Sequence, residues 1–186
     1  MSAAASQPVP EFSAEERSWL LSVARRAITA RLRGERFSVE PLNPHLAERR
    51  GAFTTLHVRG HLRGCVGFIL PVSPLFLTIA ETAQAAAFED TRFSPLAAAE
   101  LPLLSLEISV LSPMAPIRPD EVEVGRHGLL VSQGPCRGVL LPQVPVEQGW
   151  DRLTFLAQTC VKAGLAPIAW QHGATLEAFT AEIFGE

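Results

Sequence analysis

The sequence predicts an α+β fold in which mainly antiparallel strands are flanked by helices. Two patterns support this. Stretches of alternating apolar and polar residues come in pairs separated by short glycine-containing turns, which is typical of β-hairpins. Stretches with helical spacing flank these hairpins and do not link parallel strands. The 186 residues, 47% of them hydrophobic, fit one domain or two closely packed lobes with a full core.

Local signals define the elements of the first half. Ser13, with Glu16 three residues later, has the form of a capping box, and apolar residues follow at helical spacing to about Arg33. Ser73-Pro74 is predicted to begin a second helix, with the serine as N-cap and the proline in the first turn, and this helix ends near Phe88. Between the two helices, the predicted elements are an irregular segment over 41–50, a strand over 52–59, a turn at Gly60-His61 and a strand over 62–68.

The second half is predicted to contain further strands and one long helix. The strand over 103–111 carries Glu107 among apolar residues and is broken at Pro113. Residues 175–184 fit either a final strand or a short helix. The remaining predicted elements are a short strand over 122–124, a hairpin with strands over 128–132 and 137–141 around Gly134-Pro135, and a helix over 150–163 that Gly164 ends.

The two hairpins resemble each other in sequence. Each is followed by a Leu-Pro step and then by a helix, which predicts an internal duplication of a hairpin-plus-helix unit. Chance recurrence of glycines at turns is the alternative. The ungapped alignment places Gly51, Leu56, Gly60, Arg63 and Gly64 on Gly125, Leu130, Gly134, Arg137 and Gly138.

Charge and cysteine content narrow the classes of function. A net charge of −3 argues against binding to nucleic acids or anionic membranes, which requires a basic face. Cys65, Cys136 and Cys160 are odd in number and form no CxxC pair, which fits free thiols in a reducing compartment. His57 and His61 lie across a turn, and no cysteine or carboxylate completes a zinc set, so no metal or other cofactor is expected.

Residues 1–12 are expected to form a flexible tail before a domain over residues 13–186. The tail is rich in Ala, Ser and Pro and lacks the basic and apolar regions of a signal peptide. The apolar run over 66–80 is interrupted by Pro71 and Pro74 and is too short to span a bilayer. These features predict a cytoplasmic protein.

The most informative stretch is Leu62-Arg63-Gly64-Cys65-Val66-Gly67. Alternate side chains of a strand share a face, so Arg63 and Cys65 are expected on the same side. A nearby guanidinium favours the thiolate form of a cysteine, which makes Cys65 the candidate reactive group. Gly64 and Gly67 leave the backbone uncovered for the close approach of a ligand or another chain segment. The alternative is that Cys65 is a small buried hydrophobe.

Three later segments supply further candidate residues. Gly125-Arg126-His127-Gly128 places an imidazole beside an arginine; it is either an acid–base group or an isolated surface histidine. Asp90-Thr91-Arg92-Phe93 is either a turn after the second helix or a segment in which Arg92 binds an anion. Glu107, if it faces inward, needs a partner such as an arginine, and such a pair is more often structural than catalytic.

These segments resemble the AMMECR-one domain family. The stretch from Leu62 to Gly67 looks like the family's signature, with Val66 where isoleucine is usual. The match covers about residues 13–184. The other matching segments, in order, are Asp90-Thr91-Arg92-Phe93-Ser94-Pro95-Leu96, Leu106-Glu107-Ile108-Ser109-Val110-Leu111-Ser112, Gly125-Arg126-His127-Gly128-Leu129, Leu140-Leu141-Pro142-Gln143-Val144 and Cys160-Val161-Lys162-Ala163-Gly164-Leu165.

The resemblance implies an α+β fold of two lobes, with the signature near a cleft between them. It also implies the name AmmeMemoRadiSam system protein A, which refers to genes found together with those of a Memo-like protein and a radical SAM protein. These two proteins are therefore the implied partners. The resemblance brings no established reaction with it. The motif positions that it carries over are Arg63, Cys65, Arg92, Glu107, Arg126, His127 and Gln143.

Two hypotheses follow. The preferred one is a cleft around the motif that binds a ligand or a partner protein. The alternative is an enzyme in which Cys65 is a thiolate nucleophile, Arg63 its electrostatic activator and His127 a proton shuttle, acting on a small anionic substrate. Arg92 and Arg126 would then hold that substrate. Nucleic-acid recognition is a third reading that the acidic charge balance disfavours.

Overall fold

Residues 10–186 are described by this computed structural model and fold as two units. Unit 1 comprises the described residues up to Val110 together with Glu182–Glu186, and unit 2 comprises Leu111–Ala181. No helix in the described part of the chain is long and apolar enough to cross a membrane. The helices are α1 (Ala14–Leu32), α2 (Leu75–Phe88), α3 (Gln143–Glu147) and α4 (Arg152–Lys162). The strands are β1 (Ala52–Val58), β2 (His61–Phe68), β3 (Leu104–Leu111), β4 (Ala115–Pro116), β5 (Gly128–Gln133), β6 (Cys136–Leu140), β7 (Thr175–Phe179) and β8 (Ala181–Gly185).

The predicted α+β class is confirmed, with two antiparallel sheets of four strands each. In unit 1 the order is β2-β1-β3-β8, so β2 is an edge strand. Alternate residues of β1 and β3 are buried, as a strand with one face on a core requires. Leu56 and Leu106 lie opposite each other on the buried face, in one core cluster with residues of α1 and α2. The other face is half-buried.

Both helices of unit 1 begin close to the predicted positions, but only one is capped as predicted. The capping box of α1 is present: Ser13 Oγ accepts the Glu16 N–H at 3.2 Å, and the Glu16 carboxylate accepts the Ser13 N–H at 2.8 Å. The prediction of Ser73 as N-cap of α2 is wrong. Pro74 is the N-cap and has no capping side chain. The first amide of the helix, that of Leu75, donates instead to Glu48 O at 2.8 Å, so another segment of the chain replaces the serine cap.

Unit 2 repeats the arrangement of a sheet with a helix against it. Its strand order is β4-β7-β5-β6, and Leu129 and Val131 of β5 share a core with Phe155 and Leu156 of α4. The predicted strand over 122–124 is wrong: these residues follow a short 3-10 helix, and only Val122 is buried. The alternatives for residues 175–184 are resolved as two strands, β7 and β8.

The predicted internal duplication stays a prediction, because the two hairpins agree at one position and differ at another. A Cβ on Gly64 would lie 2.1 Å from Ala86 O, and one on Gly138 would lie 2.3 Å from the Ala163 nitrogen, so each hairpin meets a helix at its glycine. However, Leu56 lies opposite Gly64, whereas Leu130 lies opposite Val139. The ungapped alignment equates Leu56 with Leu130. Leu56 shares a sheet face with Gly64, whereas Leu130 lies on the face opposite to that of Gly138.

The N-terminal boundary at residue 13 also stays a prediction, because residues 1–9 of the predicted tail lie outside the described residues. Within the described part, Phe12 is only 1% exposed and stacks on the His45 ring with 4.9 Å between centroids. The Glu11 amide donates to the Glu182 carboxylate at 2.7 Å. The chain is therefore packed against unit 1 from Glu11 onward.

Candidate functional site

Three polar side chains form a line across the half-buried face of the unit 1 sheet. Thr55 of β1 lies opposite Cys65 of β2 on one side and opposite Glu107 of β3 on the other. We call Cys65, Thr55 and Glu107 the polar row. Neighbouring strands are about 4.8 Å apart, so the row spans roughly 10 Å of backbone. The Thr55 hydroxyl donates to Cys65 Sγ at 3.3 Å, which ties two of its members together.

Glu107 occupies the far end of the polar row and is half-buried. Glu107 was expected to need an arginine partner only if it faced inward. It does not face the core, so this expectation does not apply. Within the described residues, its carboxyl group makes no hydrogen bond and no ion pair. A carboxyl group in this state is able to accept hydrogen bonds from a ligand.

The backbone of Cys65 is held at the outer edge of the sheet by Asp90 and Arg92. Asp90 Oδ2 accepts the Cys65 N–H at 2.9 Å, and Arg92 Nη2 donates to the Cys65 carbonyl at 3.4 Å. Arg92 also makes a bidentate contact with Asp90, in which Nε donates to Oδ1 at 2.9 Å and Nη2 donates to Oδ2 at 2.7 Å. This ion pair, with the Cys65 amide, holds the pKa of Asp90 well below its usual range. Arg92 therefore binds a carboxylate of the protein itself, and its binding of a ligand anion stays a prediction.

Arg63 is engaged in the same way by another internal carboxylate. Its Nε and Nη2 donate to the two oxygens of Glu100 at 2.8 and 3.1 Å, and Nη2 also reaches Pro95 O at 3.4 Å. This pair lowers the pKa of Glu100. The guanidinium carbon of Arg63 lies 6.0 Å from the centre of the Phe93 ring, and the guanidinium carbon of Arg92 lies 5.5 Å from the same ring centre. Among the described residues, Arg63 makes no hydrogen bond to Cys65.

The two glycines of the motif serve packing within unit 1. Gly64 faces α2 so closely that no side chain fits, as its distance to Ala86 O shows. At Gly67 a Cβ would lie 2.2 Å from Cδ1 of Phe53, so the Phe53 ring covers this glycine. Of the two predicted reasons for the bare backbone, the structure supports the approach of another chain segment.

The remaining candidate residues belong to unit 2. His127 Nδ1 accepts the Glu123 N–H at 3.0 Å, and burial, with the charge of Arg126, lowers the pKa of His127. Arg126 is exposed and pairs with Glu123 at 3.0 and 3.2 Å. Gln143 is exposed at the first residue of α3, without a hydrogen bond to any described residue.

The structure thus gathers Arg63, Cys65 and Arg92 in one place, with Glu107 in the same row as Cys65. Sequence reasoning missed Glu100 and Thr55. Glu100 is 37 residues from Arg63 and carries no motif of its own. Thr55 was detectable only as the strand residue that a specific hairpin register would place opposite Cys65. In the described part of the chain, no three His, Cys, Asp or Glu side chains are grouped so as to hold a metal ion.

Comparisons with known proteins agree on one family. The family model AMMECR1 matches residues 21–184. A protein of Thermococcus gammatolerans is 46% identical over 182 residues, which cover 90% of this chain and 89% of that protein. A protein of Methanosarcina acetivorans is 44% identical, with coverage of 84% and 81%. The crystal structure of uncharacterized protein PH0010 from Pyrococcus horikoshii has a TM-score of 0.77 at 41% identity and covers 94% of this chain and 93% of its own.

Proposed function

This chain belongs to the AMMECR1 family, and we propose that it is a ligand-binding protein whose binding surface is the half-buried sheet face that carries the polar row. The observation that carries this proposal is the state of Glu107. A half-buried carboxyl group without a partner among the described residues stands in line with a hydroxyl and a thiol. A carboxylate that no described protein group occupies keeps its oxygens available to accept hydrogen bonds from a ligand.

The charges around the motif favour a ligand that donates hydrogen bonds over one that is anionic. Arg63 and Arg92, the two cationic groups of the motif region, already hold Glu100 and Asp90. An anionic ligand would have to share these guanidinium groups with the internal carboxylates, and the Arg63 nitrogen without a partner among the described residues, Nη1, is buried. Glu107 offers the opposite chemistry, and carboxylates bind ammonium, guanidinium and amide N–H groups well. We therefore place such a group of the ligand at Glu107 and the rest of the ligand over Thr55 and Cys65.

The surroundings of the polar row favour a surface that is formed before the ligand arrives. Asp90 and Arg92 fix the backbone of Cys65 from the edge, and Gly64 fixes β2 against α2. A preformed site loses less conformational entropy when it binds. In this proposal the family signature builds the surface, and the polar row contacts the ligand.

The thiol of Cys65 is a built-in reporter for the test. Iodoacetamide alkylation is followed by mass spectrometry at each cysteine, with agmatine, a compact guanidinium and ammonium compound, as the probe. We expect agmatine to slow alkylation of Cys65 in a saturable manner and to leave Cys136 unaffected. Citrate, at the same ionic strength, should not protect Cys65.

A pair of matched variants decides the role of the carboxyl group. Glu107→Gln should raise the half-protecting concentration of agmatine about tenfold, as expected for the loss of a charge-assisted hydrogen bond. Glu177→Gln, at a half-buried strand position in unit 2, should leave it unchanged. Equal protection by citrate, or full protection by agmatine in Glu107→Gln, would overturn the proposal.

The hydrogen bond from Thr55 to Cys65 Sγ supports a second candidate, an enzyme that uses Cys65 as a nucleophile. A hydroxyl group that donates to sulfur is able to stabilise a thiolate. Thr55→Val would then slow alkylation of Cys65 relative to Cys136, because the donor is lost while the side-chain shape is kept. An unchanged ratio of the two alkylation rates would rule out this nucleophile role, and ligand binding would remain as the proposed function. The part of His127 as proton shuttle stays a prediction, since His127 belongs to unit 2.

The partners implied by the family resemblance complete the proposal. We propose that a Memo-like protein and a radical SAM protein act with this chain. Co-purification from cells with the chain as bait tests this, with Glu107→Gln as the variant that separates ligand binding from partner binding.

A further inference from the structure

Unit 2 contains a small cavity that is open to solvent and is separate from the polar row. Its volume is about 190 Å³, and it lies between β4, the residues around it and the end of β7. Much of the wall is apolar and includes Pro113, Pro116, Ile117 and Phe179. The Phe179 ring is fixed in place by Gly128, where a Cβ would lie 2.3 Å from Cζ of the ring. This volume is below the roughly 300–1,000 Å³ of pockets for drug-sized ligands, so only a small ligand fits.

His127 supplies a hydrogen-bond donor to this cavity. It lines the cavity, and its Nδ1 accepts the backbone N–H of Glu123. A neutral imidazole that accepts at Nδ1 carries its hydrogen on Nε2. Burial favours this neutral form, as does the positive charge of the adjacent Arg126. Nε2–H is thus the ring group left for a ligand.

Two other polar residues, Ser112 and Thr180, line the cavity, and only the hydroxyl of Ser112 is hydrogen-bonded within the fold. Ser112 Oγ accepts the Thr180 N–H at 2.9 Å and donates to Pro113 O at 3.2 Å, so its hydroxyl is used within the fold. The Thr180 hydroxyl makes no hydrogen bond to a described residue. No arginine or lysine of the described residues lines this cavity. Arg126, next to His127 in sequence, is paired with Glu123.

We propose that this cavity is a binding site for a small neutral carbonyl compound, such as an aliphatic carboxamide. Its oxygen accepts the His127 Nε2–H, its amide group contacts the Thr180 hydroxyl, and its alkyl part packs on the prolines, Ile117 and Phe179. A carboxylate is disfavoured, because the neutral Nε2–H and the hydroxyl offer it no cationic partner, while its charge loses part of its hydration on the apolar wall.

The test is a titration of the ¹⁵N-labelled full chain with isobutyramide, followed by NMR of the backbone amides. We expect saturable shifts at Ile117, Gly128 and Thr180, with a dissociation constant in the millimolar range that a ligand of about six heavy atoms reaches. Isobutyrate should bind at least about tenfold more weakly. Absence of shifts at these amides, or equal binding of isobutyrate, would overturn the proposal.

Two variants locate the site independently. His127→Phe removes the donor and keeps a ring of similar size, and we expect binding to weaken about tenfold. Ala115→Phe places a large side chain at an exposed position of β4 that lines the cavity, and should block binding without a change in the core. Ala99→Phe, an exposed position of unit 1, is the matched control and should bind as the natural chain does. Undiminished binding in both His127→Phe and Ala115→Phe would show that isobutyramide binds elsewhere.

Discussion

The amide of Cys65 donates to Oδ2 of Asp90 over 2.9 Å, so the backbone of the candidate reactive residue is held by a carboxylate 25 positions later in the chain. Arg92 completes the arrangement, since it binds Asp90 with two nitrogens and reaches the Cys65 carbonyl with one of them. Asp90 is the centre of this contact because it is the only one of the three whose side chain is almost fully buried, at 6% exposure against 56% for Arg92.

Asp90→Asn should lower the free energy of unfolding by about 1–2 kcal/mol, because a nearly buried charge-assisted pair becomes a neutral contact. The exposure of Arg92 keeps this figure small. Because the pKa of Asp90 is lowered in the folded chain, its stabilisation is present above the unfolded pKa of about 3.9 and lost as the pH falls through the folded pKa. The difference between the natural chain and the variant should therefore shrink in urea unfolding below about pH 4.

Asp120→Asn is the matched control for this prediction. Asp120 also pairs with an arginine two positions away, Arg118, but its side chain is 69% exposed. We expect this substitution to leave the midpoint of urea unfolding unchanged, because water already solvates the exposed pair. Equal effects of the two substitutions would show that burial of Asp90 does not matter.

His45→Gln should destabilise the chain most in mildly acidic solution. His45 Nδ1 lies 2.8 Å from Glu16 Oε1, which raises the pKa of His45 and lowers that of Glu16 to about 2. The stabilisation from His45 is full below its unfolded pKa of about 6.5 and is lost as the pH rises through the folded pKa. That from Glu16 is present above about pH 4.3 and lost toward pH 2. Urea unfolding of both chains should differ most between about pH 4.5 and 6.5. His172→Gln, at an exposed position, should show no such window.

Gly64→Ala should cost about 2–3 kcal/mol of stability, because the new methyl group meets backbone that cannot move alone. Gly138→Ala should behave similarly, since Ala163, the C-cap residue of α4, approaches it as Ala86 of α2 approaches Gly64. Gly67→Ala should cost less, because its nearest obstacle is the Phe53 ring, which is able to rotate away, and the backbone atom it meets, Ala52 O, is at 2.7 Å and not 2.1 Å. Thermal unfolding of the three variants measures the order. A smaller effect at Gly64 than at Gly67 would contradict the close contact with α2.

Arg63 and Glu100 should behave as a coupled structural pair. Arg63→Met leaves Glu100 without its partner, and Glu100→Gln leaves a guanidinium that is only 13% exposed, so each should destabilise by about 1–3 kcal/mol. The double variant Arg63→Met with Glu100→Met should be more stable than the sum of the single effects predicts. Strict additivity in chemical unfolding would show that Arg63 acts on something other than Glu100.

The sequence predicted the elements well where a local signal determines the structure. The Ser13 capping box starts α1, and the alternation in β1, β2 and β3 gave each strand to within about two residues. The errors arose where contacts with another segment of the chain determine the local structure. Val122 looks like a strand residue because it is apolar, but it is buried from a loop. Ser73 looks like a cap, but the Glu48 carbonyl takes its place.

The candidate site was predictable as a set of residues but not as a set of contacts. Period-2 alternation predicted that Arg63 and Cys65 share a face of the strand. Cys65 lies opposite Thr55, but Leu56 lies opposite Gly64 and His57 opposite Leu62, so Arg63 stands at a register shift where simple alternation does not apply. The partners of Arg63 and Arg92 were not predictable in the same way. The position of an arginine near a cysteine in sequence does not determine which carboxylate the fold places beside it. Asp90 lies in the same matched segment as Arg92, whereas Glu100 has no recognisable signal.

β2 forms the outer edge of the unit 1 sheet, and an edge strand offers its amide and carbonyl groups to strands of other molecules. At Cys65 both groups are already occupied, the amide by Asp90 and the carbonyl by Arg92. A foreign strand therefore cannot add across this point without first breaking the ion pair. The same contact that supports the polar row thus also opposes aggregation through intermolecular β-pairing, and a substitution that opens it would expose the chain to self-association as well as to loss of stability.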